Sequence, residues 1–456
     1  MKDTALVEAS GGHASIKQVS RIAEPGEQGA RSSLLAAIVA GNTFEFFDFV
    51  TYAFFAVYIG KAFFPASTPM ASLLLSVGVF GVGFVSRPLG SILIGAYADS
   101  AGRRPAMLLT LSLITVGTLG LALTPSFESI GLWAPISIVV CRLVQGLALG
   151  GEVGPSSALL LELAPEGKAG LMGSWQIASQ GLATLVAGLF GVSIVSMLSP
   201  AEVQAWGWRV PFLFGALVLP IALFLRRNVP ETLGASTYTP KERFARLVVE
   251  KRTIVLATLV VMGGTIATYV GNYMTTFAIT TLKLPALTAM TATVIVGLVT
   301  LVFGLLGGFL ADRLGRKPVM IWGRLAGAVL TVPAFYALVA NPSGPALFAV
   351  TGLLSALTAM SSAASLVLIM ELLPRSSRST GLSIAYALGV SVFGGSTQFI
   401  VVWLIGVTGH AEAPAWYVAA TGLITVMAML ALPESLSTRR VDGEAPVGSN
   451  DRSLTA

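Results

Sequence analysis

The chain has 456 residues, 54% of them hydrophobic and only 11% charged, with a formal net charge of +6. Soluble domains carry about 25% charged residues, so a soluble fold this large and this apolar would expose a greasy surface and aggregate. Composition therefore points to a polytopic helical membrane protein. The excess positive charge lies in short loops between apolar runs, where it sets topology, and is no signal for nucleic acid.

Residues 1–31 are polar, with neither a signal-peptide apolar core nor a convincing cleavage site, and read as a disordered cytosolic tail ahead of an uncleaved first span. A bilayer-crossing helix needs about 20 apolar residues. That rule gives about twelve spans, at 32–59, 71–96, 106–124, 133–160, 171–197, 208–226, 253–281, 288–311, 318–339, 345–370, 380–405 and 414–432.

The first span holds Asn42, Glu45, Asp48 and Tyr52. Glu45 and Asp48 are three positions apart, on one helix face. An ionisable group at membrane depth requires a partner or a function. A buried carboxylate resists ionisation, which suits a proton carrier; the competing expectation is a structural salt bridge to an arginine nearby. The second span carries Arg87 deep within it, to bind an anion or brace a gate. It ends in Gly95-Ala-Tyr-Ala-Asp99-Ser-Ala-Gly102-Arg103-Arg104.

The fourth span carries Arg142 and, one turn on, Gln145, followed by Gly150-Gly151-Glu152. A guanidinium stays charged and forks onto carboxylates, so Arg142 and Gln145 suit a carboxylate-bearing substrate. The alternative is that Arg142 only balances Glu45, Asp48 or Glu152, with Glu152 a third candidate for carrying protons. Cys141 is the sole cysteine, in an apolar run, and is expected to be an inert thiol. Gln176 and Gln180 lie in the fifth span. Arg209 stands near the outer end of the sixth, as an interfacial anchor.

Residues 228–252 form the longest polar gap and read as a cytosolic linker, basic and partly amphipathic from Lys241 to Arg252. It would join an N-terminal six-helix bundle, 32–227, to a C-terminal one, 253–433, with a cytosolic tail at 434–456. In the seventh span stand Tyr269, Asn272 and Tyr273. After the eighth comes Gly308-Phe-Leu-Ala-Asp312-Arg-Leu-Gly315-Arg316-Lys317. The eleventh holds Tyr386, Gln398 and Phe393-Gly394-Gly395, either a flexible point or a close packing site. These scattered polar side chains would either line a central cavity or bond helix to helix. His410, beside Glu412 in an outer loop, is poorly placed for a proton relay.

The Asp99 and Asp312 stretches share the spacing of Gly, Asp, Gly and the basic pair, at an offset of 213 positions (312 − 99). Two further echoes keep nearly the same register: Glu162-Leu-Ala-Pro165 with Glu371-Leu-Leu-Pro374, and Pro230-Glu231-Thr232 with Pro433-Glu434-Ser435. Glycine allows a tight turn and close approach, while aspartate can accept from a helix N-terminus or an arginine. Parallel repeats suit two bundles rocking about a midplane site. Lys and Arg gather on the side of these motifs, leaving only Lys61, Arg209 and Lys283 opposite, so the motifs and both termini are expected to be cytosolic.

These paired loops resemble those of the major facilitator superfamily. Gly41-Asn42, Glu45, Asp48-Phe49, Arg87-Pro88-Leu89-Gly90, Arg142, Gln145-Gly146, Gly150-Gly151-Glu152, Trp206-Gly-Trp-Arg209-Val-Pro211 and Phe393-Gly394-Gly395 look like its metabolite:proton symporters. Ile94-Gly95-Ala96-Tyr97 and Ser174-Trp175-Gln176 look most like the citrate and tricarballylate branch. The resemblance implies an all-α major facilitator fold, a monomer, no cofactor and proton-coupled symport of a small organic acid. The Asp99 and Asp312 loops would latch the cytosolic side. Phe46-Phe47, Ala387 and Gln398 depart from the family pattern, the last two near the expected cavity. A zwitterion symporter or an efflux carrier is the rival within transport. No nucleophile elbow, HExxH or P-loop supports an enzyme, and two histidines with one cysteine offer little to a metal.

Overall fold

A computed structural model describes residues 25–101, 103–150, 153–216, 251–373 and 378–434, and every regular element among them is helical. The first predicted span is α1 (Pro25–Phe54) with α2 (Ala56–Phe63), and the second is α3 (Pro69–Val85) with α4 (Arg87–Ala101). The third is α5 (Arg103–Leu123). A short α6 (Phe127–Ile130) precedes the fourth, α7 (Trp133–Leu149) and α8 (Val153–Glu162). The fifth is α9 (Ala169–Met197), followed by α10 (Pro200–Ala205) and the first turns of the sixth, helical to residue 216. The second half holds α11 (Lys251–Thr280), α12 (Ala286–Leu314), α13 (Arg316–Ala340) and α14 (Gly344–Leu372). Its eleventh span is α15 (Arg378–Leu388), a π-helical turn (Gly389–Gly394) and α16 (Gly395–Thr408); α17 (Ala413–Ala431) is the twelfth. The remainder of the sixth span, most of the linker and both expected tails, apart from 25–31 and Glu434, lie outside the described residues.

Local chemistry fixes the helix starts. Thr68 caps α3 by accepting from the Ala71 N–H at 3.2 Å, with Pro69 in the first turn, and Ser343 caps α14 in the same way through Ala346. Ser199 and Glu202 cap α10 reciprocally. Gly409 ends α16 at a φ of 70°. Outward-facing positions are apolar, among them Leu93, Trp322, Trp403 and Trp416, whereas Asn42, Asp48, Arg142, Gln176 and Arg324 are buried. That is the polarity expected of helices bathed in lipid.

Several helix pairs join the halves, and two of them are related by the repeat. α9 runs against α12, and α3 runs against α16. By the repeat, α3 corresponds to α12 and α9 to α16, so the two contacts are one arrangement used twice. Both need absent side chains. A Cβ on Gly181 would strike the Leu301 backbone, and one on Gly395 would lie 2.9 Å from the Phe84 Cβ. In lipid, where burying apolar surface gives helices little drive to associate, such close backbone contact supplies much of the attraction. Of the two expectations for Phe393-Gly394-Gly395, close packing is what Gly395 shows, and it immediately follows the π-helical turn.

Candidate functional site: a buried ion pair, a central cavity and a helix-end latch

Asp48 of α1 and Arg142 of α7 meet in the first half, Oδ2 to Nη1 at 3.9 Å, both buried. Gln145, one turn beyond Arg142, donates from Nε2 to Asp48 Oδ2 at 2.6 Å and to Thr118 Oγ1 at 3.0 Å. The Arg142 guanidinium lies over the Tyr52 ring, 4.0 Å from its centroid. Asp48 Oδ1, Gln145 Oε1 and all three side-chain nitrogens of Arg142 have no hydrogen-bond partner among the described residues. A guanidinium offers five donors. This one, 1% exposed, is close to a charge yet short of acceptors. The pairing of Arg142 with a neighbouring carboxylate, left open by the sequence, is thus present, and the carboxylate is Asp48. Glu45 is buried on the same helix.

The expected cavity residues divide into two sets. Gln180, Tyr269, Asn272 and Tyr386 line a cavity of about 130 Å³ between the halves. A water molecule occupies about 10–15 Å³ of such space, so there is room for a cluster of waters or a small organic solute. Asn42 and Gln176 instead bond one another, Gln176 Nε2 donating to Asn42 Oδ1 at 3.1 Å, and Asn42 also donates to Ser179 Oγ. Tyr52 donates to the Ser76 carbonyl at 3.1 Å. Tyr273 is buried beside Phe277, and Gln398 is buried with neither amide atom bonded to a described residue. Arg87 lies across the faces of Phe84 and Phe49, at 4.2 and 4.8 Å, and borders a separate void of about 20 Å³ with Tyr386 and Ala387. Arg142 and Gln145 are not among the wall residues of either space. Glu152 lies outside the described residues.

One wall residue escaped the sequence reading. Arg324 in α13 is 4% exposed and reaches the large cavity. Its Nη1 donates to the Gly263 carbonyl at 3.1 Å and its Nη2 to Ser362 Oγ at 3.3 Å. The signal was available: an arginine within an apolar run, the same mark that singled out Arg142.

At one end of the molecule the second repeat motif ties the halves together. Asp312 accepts from the Gly170 N–H at 2.7 Å and the Leu171 N–H at 2.8 Å, the open N-terminus of α9. Arg316 pairs with Asp312 and with Glu371, each at 3.0 Å. Gly315 turns the chain at a φ of 95°, and Glu434 accepts from the Lys317 N–H at 3.2 Å. The three echoes of the second repeat thus form one cluster. In the first, Gly95 and Asp99 fall in α4 and Arg103 and Arg104 open α5; their side chains, and Gly102 itself, lie outside the described residues. Arg209 donates to the Thr124 carbonyl at 3.0 Å and stacks on Trp208. His410, with a side chain 71% exposed, meets Glu412 at 3.3 Å.

Two helical bundles joined across a central cavity, with buried charge and a latch at one end, define a multi-pass membrane carrier. Residues 34–234 match the family described as "Sugar (and other) transporter", and residues 261–453 match "Major Facilitator Superfamily". A citrate-proton symporter of Klebsiella pneumoniae is 36% identical, over 88% of this chain and 91% of that protein. The alpha-ketoglutarate permease of Escherichia coli K12 is 35% identical, over 88% and 92%. The proline/betaine transporter of the same strain is 29% identical, over 93% and 87%. Among solved structures, the proton:xylose symporter XylE bound to 6-bromo-6-deoxy-D-glucose superposes with a TM-score of 0.73 at 19% identity, over 91% of this chain and all of that one, and shares the fold. The chain belongs to the major facilitator superfamily, among its metabolite:proton symporters.

Proposed function

We propose that the chain is a secondary active carrier that moves a small organic acid anion, a tricarboxylate or dicarboxylate, together with protons by alternating access. The observation that carries this is the Asp48–Arg142 pair, held at 3.9 Å with the guanidinium otherwise short of acceptors. While Asp48 is ionised it neutralises Arg142. When Asp48 takes a proton, Arg142 is left with an uncompensated charge in a dry site, and a substrate carboxylate is then the favoured partner. Proton binding thus favours anion binding, and by reciprocity the anion favours the proton to the same degree. The citrate and alpha-ketoglutarate relatives support an acid as cargo.

In this scheme Arg142 and Gln145 meet the substrate after Tyr52 swings off the guanidinium, and Arg87 serves the second void. Gln180, Tyr269, Asn272 and Tyr386 wet the passage; Asn42, Tyr52, Gln176, Tyr273 and Gln398 support it from the helix contacts. Glu45 and Glu152 are the other acids that could carry protons. The Asp312 cluster closes the cytosolic end, and by the repeat Asp99 belongs to the same gate. Residues 32–227 and 253–433 are the two moving bundles, joined by 228–252. The protein works as a monomer in a bacterial inner membrane, with both termini cytosolic on the strength of the Lys and Arg distribution.

A zwitterion carrier is the second reading, favoured by the proline/betaine relatives. Uptake into proteoliposomes under an inward proton gradient separates the two. Accumulation of citrate, tricarballylate or α-ketoglutarate supports the acid reading; uptake of betaine with no acid transported overturns it.

A further inference from the structure

The large cavity is chemically lopsided. Its first-half wall is Phe46, Val50, Ile177, Gln180 and Thr184; all its other wall residues belong to the second half. Hydroxyls and amides are plentiful there, yet among the described residues Arg324 is the sole charged one of the wall, with no Asp, Glu, Lys or His. Arg324 itself has no carboxylate within ion-pair distance among the described residues, and its Nε has no hydrogen-bond partner. The Gly263 carbonyl and Ser362 hydroxyl orient the guanidinium without neutralising it.

A buried charge without a counter-ion is costly unless something supplies one. Arg142 has Asp48 for that purpose. Arg324 faces a space large enough for a small solute, and the missing opposite charge fits a solute that carries it. The helix positions agree with this arrangement. Gly323 and Gly327 flank Arg324 on the cavity wall, and Gly264 lies opposite, where a Cβ would sit 3.3 Å from Nη2. The missing Gly264 side chain thus leaves room beside Nη2, whereas Gly323 makes room for Leu357 and Ser361 of α14.

We propose that Arg324 is the second-half anion anchor: it binds one carboxylate of a multiply charged organic acid in the central cavity. Ser362, Thr265, Asn272 and Thr358 supply neutral hydrogen bonds around that anchor. This rests on the organic-acid reading given above and adds a point of attachment separate from Arg142. An acid with two or more carboxylates can hold one arginine while it reaches the other; an acid with one must release the first to meet the second.

The test uses the full chain in proteoliposomes, with citrate, α-ketoglutarate and a monocarboxylate of similar size, comparing wild type, Arg324→Gln and Arg324→Lys. The expected result is a rise of about tenfold or more in half-saturating citrate for Arg324→Gln, in the range of a lost charge-assisted contact. Arg324→Lys should show a smaller rise, and the monocarboxylate should be affected least. Thermal unfolding without substrate reports on folding separately. If Arg324→Gln does not fold, wild type supplies the readout: citrate should protect Arg324 from a guanidine-directed dicarbonyl reagent, scored by mass spectrometry. Unchanged half-saturation in a folded Arg324→Gln, or no protection in wild type, overturns the anchor while leaving acid transport intact. Failure of wild type to take up any acid instead overturns the organic-acid reading, and the anchor with it.

Discussion

Asp312, from the second half of the chain, accepts hydrogen bonds from the backbone of Gly170 in the first half at 2.7 Å, and from the next amide at 2.8 Å. The carboxylate therefore closes the positive end of α9 while Arg316 holds it from behind. Asp312→Asn keeps the shape but removes the charge. Hydrogen bonds to a charged group are worth about 1.5–3 kcal/mol, so the ratio of latched to open molecules should fall by roughly tenfold or more. Spin labels at Glu166 and Arg313, both exposed near the latch, would read the change as a longer distance. An unaltered distance distribution would remove Asp312 from the latch.

Gly308 lies on the same contact. A Cβ there would strike the Gly170 carbonyl and sit 2.5 Å from the Ser174 Cβ. Overpacking of this kind costs about 1–3 kcal/mol, and it is paid only while the halves are closed at this end. Gly308→Ala should therefore favour the opposite opening without unfolding either bundle. The measurement is alkylation of cysteines placed on the two sides of the cavity; an equal loss of structure at both sides would contradict it.

Asp48→Asn should uncouple transport. Asparagine imitates a permanently protonated acid, so Arg142 stays ready for anion and no proton need move. Exchange of labelled citrate across the liposome membrane should persist while gradient-driven accumulation disappears. Accumulation at the wild-type level would take Asp48 out of the coupling step.

The same pair makes an asymmetric prediction for stability. Breaking a buried ion pair costs about 3–5 kcal/mol because a lone charge remains. Asp48 can shed its charge by taking a proton; Arg142 cannot. Thermal unfolding in detergent at neutral pH should thus show Asp48→Asn losing more than Arg142→Gln, and the double variant less than the two losses combined. Strict additivity would mean that the 3.9 Å approach has no energetic weight.

Outside the membrane, the Ser199 hydroxyl and N–H bonding to Glu202 hold that carboxyl below its ordinary range. A folded value below the unfolded one contributes stability above the unfolded value, near pH 4.3, and loses it as pH falls through the folded one. Hydrogen-exchange protection in α10, taken relative to the intrinsic amide rate at each pH, should fall in that acid window, and Glu202→Gln should abolish the dependence. An identical pH profile in the variant would show that the cap is not governed by Glu202.

Depth was legible in the sequence and azimuth was not. Apolar length placed Asp48, Arg142 and Arg87 within the membrane, and the repeat placed Asp312, Glu371 and Glu434 on one side, where they form one cluster. Which face a helix turns inward depends on how its neighbours pack. For that reason the sequence could offer Arg142 a choice of acids, while the fold gives it Asp48. Gln145, expected to supply an amide to substrate, donates to that same acid and to Thr118. Asn42 and Gln180 looked equivalent, yet one bonds across helices and the other borders the cavity. Arg324 carries the same mark as Arg142, an arginine within an apolar run, but has no acidic or amide neighbour nearby in the sequence.

The unequal cavity wall has a consequence for the cycle. Two halves built to one plan have taken different trades: one keeps the exchangeable acid and its counter-charge, the other most of the berth. A passenger resting there would ride with the second bundle as the first swings past it. Recutting the berth for a new passenger would then leave the proton machinery working, provided that the passenger still presents a carboxylate to Arg142.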